Sequence, residues 1–162
     1  MAVENKYTDS LTAAGKVSNL AGVKEIVAIP FTFEVAAADS DGSVYRVIKG
    51  LNYNLIPVSV KVLNDAITSG TDYDLGLYET ELGAEIDKDV FADGLDMSSS
   101  RTFNTAVEAL ITVDPANITK TIMEHAGDTL STLAKGYDLA FTANTVGSAA
   151  GTISGVAYFV QA

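Results

Sequence analysis

The sequence predicts a mostly β fold, an antiparallel β-sandwich, and three observations carry that reading. From residue 25 onward, short runs rich in β-branched and aromatic residues are punctuated by Gly, Asp and Asn. Several of these runs alternate apolar and polar residues, as strands with one buried face do. Helical spacing, by contrast, is confined to one or two short stretches.

Residues 1–24 mix small and polar types with Gly15 and Gly22 and keep neither a sustained 3.6-residue period nor strict alternation, so they read as an extended amino-terminal arm. The arm is too rich in apolar residues (Val3, Tyr7, Leu11, Val17, Leu20 and Val23) for a purely solvated tail. It is expected to dock on a neighbouring subunit or on its own domain. The domain itself is expected over residues 25–162.

The first strand, Glu25 to Val35, contains Pro30, which cannot donate to a ladder, so this strand belongs at a sheet edge or is broken there. Ser43 to Lys49 follows the turn Asp39-Ser40-Asp41-Gly42 closely enough to predict a hairpin with it. Val58 to Val62 alternates, which places its three valines on one face. Tyr73 to Tyr78 alternates again, with Gly76 marking a bulge or a close approach. A weaker strand covers Ala84 to Ile86.

The next third changes character. Val90 to Leu95 reads as a helical turn. Asp114 reads as an N-cap with Pro115 at the first helical position, and Ile118, Ile122, Met123 and Ala126 recur at helical spacing up to Gly127. A further turn is expected over Thr129 to Lys135, stopped by Gly136. Tyr137 to Ala143 and Thr152 to Val160, joined by the Gly- and Ala-rich segment Thr145 to Gly151, read as a closing hairpin. Seven or eight strands with one or two short helical insertions make a jelly-roll or related Greek-key sandwich the expected architecture.

Composition narrows the function classes. At 162 residues the chain is the size of one domain, 48% hydrophobic and 19% charged, with no apolar run long enough to span a bilayer as a helix. A formal charge of -11 repels phosphate backbones and anionic lipid, so neither nucleic acid nor membrane is an expected partner. The start of the sequence lacks the basic and apolar regions of a secretory signal, so synthesis in a cytoplasm is expected. With no cysteine, disulfides and thiolate metal sites are impossible, and added stability has to come from the core or from oligomerisation.

Catalytic and cofactor patterns are weak. His125 is the one histidine and has no nucleophile motif to serve. Paired acids occur at Asp72 with Asp74, Asp87 with Asp89, and Asp93 with Asp96, and turn or edge solvation explains them most simply. Asp39 to Ser43 begins like a calcium loop, but the twelfth position is Gly50 rather than an acid. No enzyme activity, cofactor or metal is expected. Tyr7, Tyr53 and Tyr78 are candidate interface anchors.

The runs Phe31-Thr32-Phe33-Glu34, Ser40 to Val47 and Asp65 to Tyr78, with Asp87 to Ala92, Glu124 to Gly127 and Tyr137 to Thr152, resemble the head-decoration, or capsid cement, proteins of tailed bacteriophages. The resemblance extends from about residue 25 to the end. It implies a β-sandwich subunit, commonly a homotrimer, that binds the outside of the virion where major capsid protein subunits meet and clamps them against packaged DNA. Under it, Tyr7, Leu11, Val17, Leu20, Pro30, Thr145, Val146 and Gly147 are the expected capsid or inter-subunit contacts. The competing expectation is another virion module of the same fold: a tail, baseplate, receptor-binding or carbohydrate-binding protein.

Overall fold

The computed structural model describes residues 25–130 and 136–162. The arm expected over residues 1–24 and most of the turn expected over Thr129 to Lys135 lie outside them. Eight strands form two four-stranded antiparallel sheets: β1 (Ile26–Val35), β2 (Ser43–Leu51), β3 (Leu55–Asn64), β4 (Asp72–Glu79), β5 (Glu85–Leu95), β6 (Val107–Glu108), β7 (Tyr137–Thr145) and β8 (Gly151–Gln161). The first sheet has the order β1-β8-β3-β6 and the second β2-β7-β4-β5. The first strand therefore pairs with the eighth, the second with the seventh, the third with the sixth and the fourth with the fifth. A long two-stranded ribbon folded over in this way is the jelly roll.

Alternation along the strands builds the core. In β8, Ile153, Ala157 and Phe159 point inward while Ser154, Val156 and Tyr158 point outward. From the other sheet, Tyr73, Leu75, Leu77, Leu139 and Phe141 meet them. The rings of Phe31 and Phe33 in β1 lie 5.8 and 5.4 Å from that of Phe141 in β7, and Phe33 stacks on Tyr45 of β2 at 4.8 Å, so aromatic contacts bridge the sheets. Gly155 makes room for this: a Cβ there would lie 2.5 Å from Cζ of Phe31.

β1 stands at the edge of its sheet, where Pro30 costs no internal ladder bond. The two expected hairpins are not formed. β1 pairs with β8 and β2 with β7, and each of the connections Ala36–Gly42 and Val146–Ala150 crosses from one sheet to the other. The first arch is closed by Asp39, whose carboxylate accepts from Ala36 N and from the Tyr45 hydroxyl, and the second by Val146, which is buried.

Two further expectations are corrected. Val58 does not share a face with Val60 and Val62. Pro57 cannot donate to β8, the register slips between Pro57 and Ser59, and Val58 emerges exposed while Val60 and Val62 are buried. Val90 to Leu95 is strand rather than helix. β5 bulges repeatedly against β4, which buries Phe91 and Ala92 consecutively and erases the alternation that marks a strand. Gly76 faces the bulged strand, because a Cβ on it would lie only 2.1 Å from the carbonyl oxygen of Asp87 and 2.3 Å from the carbonyl carbon of Lys88.

The expected helix from Asp114 is two separate turns, a 3₁₀ turn Pro115–Asn117 and a short α1 (Ile122–His125). Asp114 caps the first by accepting from Ala116 N at 2.7 Å. Thr121 and Glu124 restart the chain as a capping box, and Gly127 at φ +73° ends it.

Candidate functional site

The two outer faces of the sandwich differ in kind. That of the second sheet is polar and closed. Asp138 of β7 is fully buried, and its carboxylate accepts from Arg46 Nε at 2.6 Å and Nη2 at 2.5 Å, Thr80 Oγ1 at 2.7 Å and Gly50 N at 2.9 Å. Burial alone would push its pKa up. The hydrogen bonds from Thr80, Gly50 and Arg46, with the Arg46 charge, outweigh that and hold the carboxyl below its ordinary range. Tyr78, considered as an interface anchor, is buried and shares a 2.7 Å hydrogen bond with Thr142 on this same face.

Asp72 and Asp74 share a face of β4, as strand periodicity requires, and both accept from Asn144 Nδ2. Asp93 completes a group whose oxygens lie within 4.8 Å of one another. Asp74 departs from the solvated acid expected at this position, since it is 1% exposed. Its counter-charge belongs to the protein: Lys88 Nζ is 3.2 Å from Asp74 Oδ2 and donates to Asn144 Oδ1 at 2.7 Å. The hydrogen bond to Asp74 raises the Lys88 pKa, and the charge of Asp74 raises that of exposed Asp93. A cation is thus already built into the cluster.

The outer face of the first sheet is apolar and open. Pro30 and Thr32 of β1, Val156 and Tyr158 of β8, and Leu63 of β3 line a groove of about 760 Å³, with Phe103 as a wall. Phe103 is 87% exposed. Ile26, Val58 and Ile118 are further exposed apolar residues, the last two lining a separate, smaller pocket with Leu110 and Val113. Contiguous exposed apolar surface of this sort marks an interaction site more often than a solvated face.

The residues expected to make contacts fall in three places. Pro30 is exposed on the groove rim. Tyr7, Leu11, Val17 and Leu20 lie outside the described residues. Thr145, Val146 and Gly147 sit at one end of the sandwich, where Val146 is buried, its N–H donates to Asp41 Oδ1 at 2.9 Å and its carbonyl accepts from Tyr73 at 2.7 Å. Gly147, at φ +91°, rests on Thr68 and Gly70 so closely that a Cβ would lie 2.6 Å from the Thr68 carbonyl oxygen. Those bonds hold the loop rigid and leave Ser148 and Ala150 as its exposed residues. The groove, with Phe103 and Leu63, was not singled out in the sequence. Its signal was the apolar character of both faces of β8 along Gly155 to Val160.

His125 is placed for packing. Its ring meets Phe91 edge-on at 5.2 Å, and its Nε2 is buried without a hydrogen-bond partner among the described residues. Burial, then the charge of Lys120, lowers its pKa against the smaller opposing effect of Glu124.

Fold and surface together define a jelly-roll sandwich with one sealed polar face and one open apolar face. Among solved structures, the chain is similar to one from the capsid of Ralstonia phage GP4, at 15% identity and a TM-score of 0.57 over 85% of each chain. It is also similar to one from the cyanophage Pam1 capsid asymmetric unit, at 11% identity and a TM-score of 0.50 over 86% of each. At these identities the shared property is the fold. No family model and no curated protein matches the sequence.

Proposed function

We propose that this chain is a structural, non-enzymatic virion protein that binds the outer surface of a bacteriophage capsid and stabilises it against the pressure of packaged DNA. The observation that carries the reading is the fold: two chains from phage capsid structures share it over 85–86% of their length and of this one. The open apolar face supports it, because a subunit that works by adhesion needs exposed apolar area, whereas the charged clusters are spent on internal bonds. The lone histidine packs on Phe91 instead of facing a nucleophile, which fits a protein without catalysis.

The contacts we assign to the capsid and to neighbouring copies are the arm, through Tyr7 and Leu11 with Val17 and Leu20, the Pro30 rim, and the rigid loop at Thr145, Val146 and Gly147. The partners are the major capsid protein and, in a homotrimer, the chain itself. A ligand that binds only the assembled shell stabilises it in proportion to the logarithm of its concentration over its dissociation constant. Three linked subunits convert weak contacts into a persistent clamp when the geometry permits simultaneous engagement.

The test is direct. Purified protein is mixed with expanded capsids that lack it, sedimented, and the shells are heated while DNA release is followed. Saturable co-sedimentation with a higher release temperature is expected. Light scattering of the free protein is expected to give about 51 kDa, three times the 16.9 kDa chain. Absence of binding to any such shell at micromolar protein overturns the proposal.

A further inference from the structure

We propose that Lys88 and Asn144 join through an intramolecular isopeptide bond that the folded protein makes for itself, with Asp74 carrying the protons. The three side chains come from three neighbouring strands of the second sheet, β5, β7 and β4, and meet on its outer face. Lys88 Nζ donates to Asn144 Oδ1 at 2.7 Å and lies 3.2 Å from Asp74 Oδ2, while Asn144 Nδ2 donates to that same Asp74 oxygen at 2.6 Å. A second bond from Nδ2, to Asp72 at 3.2 Å, fixes the amide so that its carbonyl faces the lysine. With a carbonyl bond of about 1.2 Å, Nζ is at most about 3.9 Å from Asn144 Cγ, close to the roughly 3–3.5 Å of a near-attack arrangement. Gly76 permits the approach, since its missing side chain lets the main chain of β5 at Lys88 lie against β4.

The reaction balances without an oxidant or a co-reactant. One proton passes from the Lys88 ammonium to Asp74, and the freed Nζ lone pair adds to Asn144 Cγ while the carbonyl π pair moves onto Oδ1. Asp74 hands the proton to Nδ2, the carbonyl re-forms, and the Cγ–Nδ2 bond breaks with its electron pair on the nitrogen. The departing ammonia takes a second proton from Nζ and leaves as ammonium on the side where Lys88 is 35% exposed. Asp74 ends as the carboxylate it began. It suits the task because it is 1% exposed and offers an oxygen within 4.8 Å of oxygens of Asp72 and Asp93, and crowded like charges keep a proton more readily than separate ones. Asp74 also raises the Lys88 pKa, which makes the free amine scarce and the step slow, but each molecule needs it only once. The product straps β5, the edge strand, to β7 across β4, in a chain that has no cysteine for a disulfide. The bond forms within the free subunit and stands or falls independently of capsid binding.

Intact mass and a tryptic digest test the bond. The folded, full-length protein, as purified or after days at physiological temperature, is expected to weigh one ammonia, about 17 Da, less than its sequence requires. Trypsin should then skip Lys88 and release Val62–Arg101 joined to Gly136–Ala162. Lys88→Arg keeps the charge and should restore the full mass, as should Asn144→Ala. Asp74→Asn, with its fold confirmed by circular dichroism, should link about a hundredfold more slowly. A folded native protein that keeps its full mass after the incubation overturns the proposal. So does a mass loss that survives in Lys88→Arg, which assigns it to cyclisation at an asparagine, and so does linkage in Asp74→Asn at the native rate.

Discussion

Replacing Asp138 by alanine removes the acceptor on which Arg46, Thr80 and Gly50 all converge. Breaking a buried ion pair by deleting one partner costs about 3–5 kcal/mol, because the remaining charge stays behind without compensation. Arg46 keeps a 2.6 Å hydrogen bond to the Thr80 carbonyl, and its side chain is 27% exposed, so water recovers part of the loss. The lower end, about 3 kcal/mol, is therefore expected, a large share of the roughly 5–15 kcal/mol that holds a domain together. With a urea slope of about 2 kcal/mol/M, the unfolding midpoint falls by about 1.5 M. Adding Arg46→Met removes the orphaned guanidinium and should restore part of that loss. The pH dependence has a definite sign. The folded pKa of Asp138 lies below its unfolded value, so its stabilisation is complete above the unfolded value near 4 and disappears as pH falls through the folded one. The acid limb of the stability profile should flatten in Asp138→Ala. A midpoint within about 0.3 M of the native protein, with an unchanged acid limb, would refute the account of this network.

Other consequences follow from the same packing. Gly76→Ala drives a methyl group into the β5 main chain and should cost at least about 3 kcal/mol in urea unfolding, with loss of amide protection concentrated in β5. Lys88→Met strips the buried Asp74 of its cation and should lower stability in urea unfolding by about 2–4 kcal/mol. His125 has a depressed folded pKa, so stability is full above the unfolded value near 6.5 and declines as pH falls below it while the unfolded chain takes up the proton first. His125→Gln should level that part of the profile, and a native profile flat between pH 7 and 5 would contradict the burial of this ring.

The strands that could be read from the sequence are those whose alternation the fold leaves intact. β4, β7 and β8 keep their inward residues on one face, so their period of two survives in the residue pattern, whereas β2 slips register twice and buries Ile48 and Leu51. β5 was misread because its bulge puts Phe91 and Ala92 into the interior side by side, and β6 is two residues long, too short for any pattern. Pairing was less legible than strand position. Nearness in sequence suggested hairpins at Asp39 to Gly42 and at Thr145 to Gly151, but Asp39 and Val146 use those segments to arch across the sandwich. The Gly76 contact and the Pro30 edge were readable because each rests on a property of the residue itself, a missing side chain and a missing donor. The apolar face was harder to see, since Phe103 comes from a segment with no periodicity and joins Val156 and Tyr158 only after folding.

The folded-over ribbon also governs how this protein comes into being. Ile26 pairs with Val160, so β1 waits for its partner until β8 has been made. Without β8, the first sheet loses both the partner of β1 and the main partner of β3, leaving their edges open. Completion of the Phe31 sheet therefore waits on β8 and is slow for the size of the domain, as topologies dominated by distant pairings are. The same pairing brings the start of β1 and the end of β8 out at one corner. A tag fused after Ala162 emerges beside the start of β1 and the turn before β3, so labels meant to leave that corner undisturbed belong at the other end of the sandwich, at exposed Ala37 and Ala38.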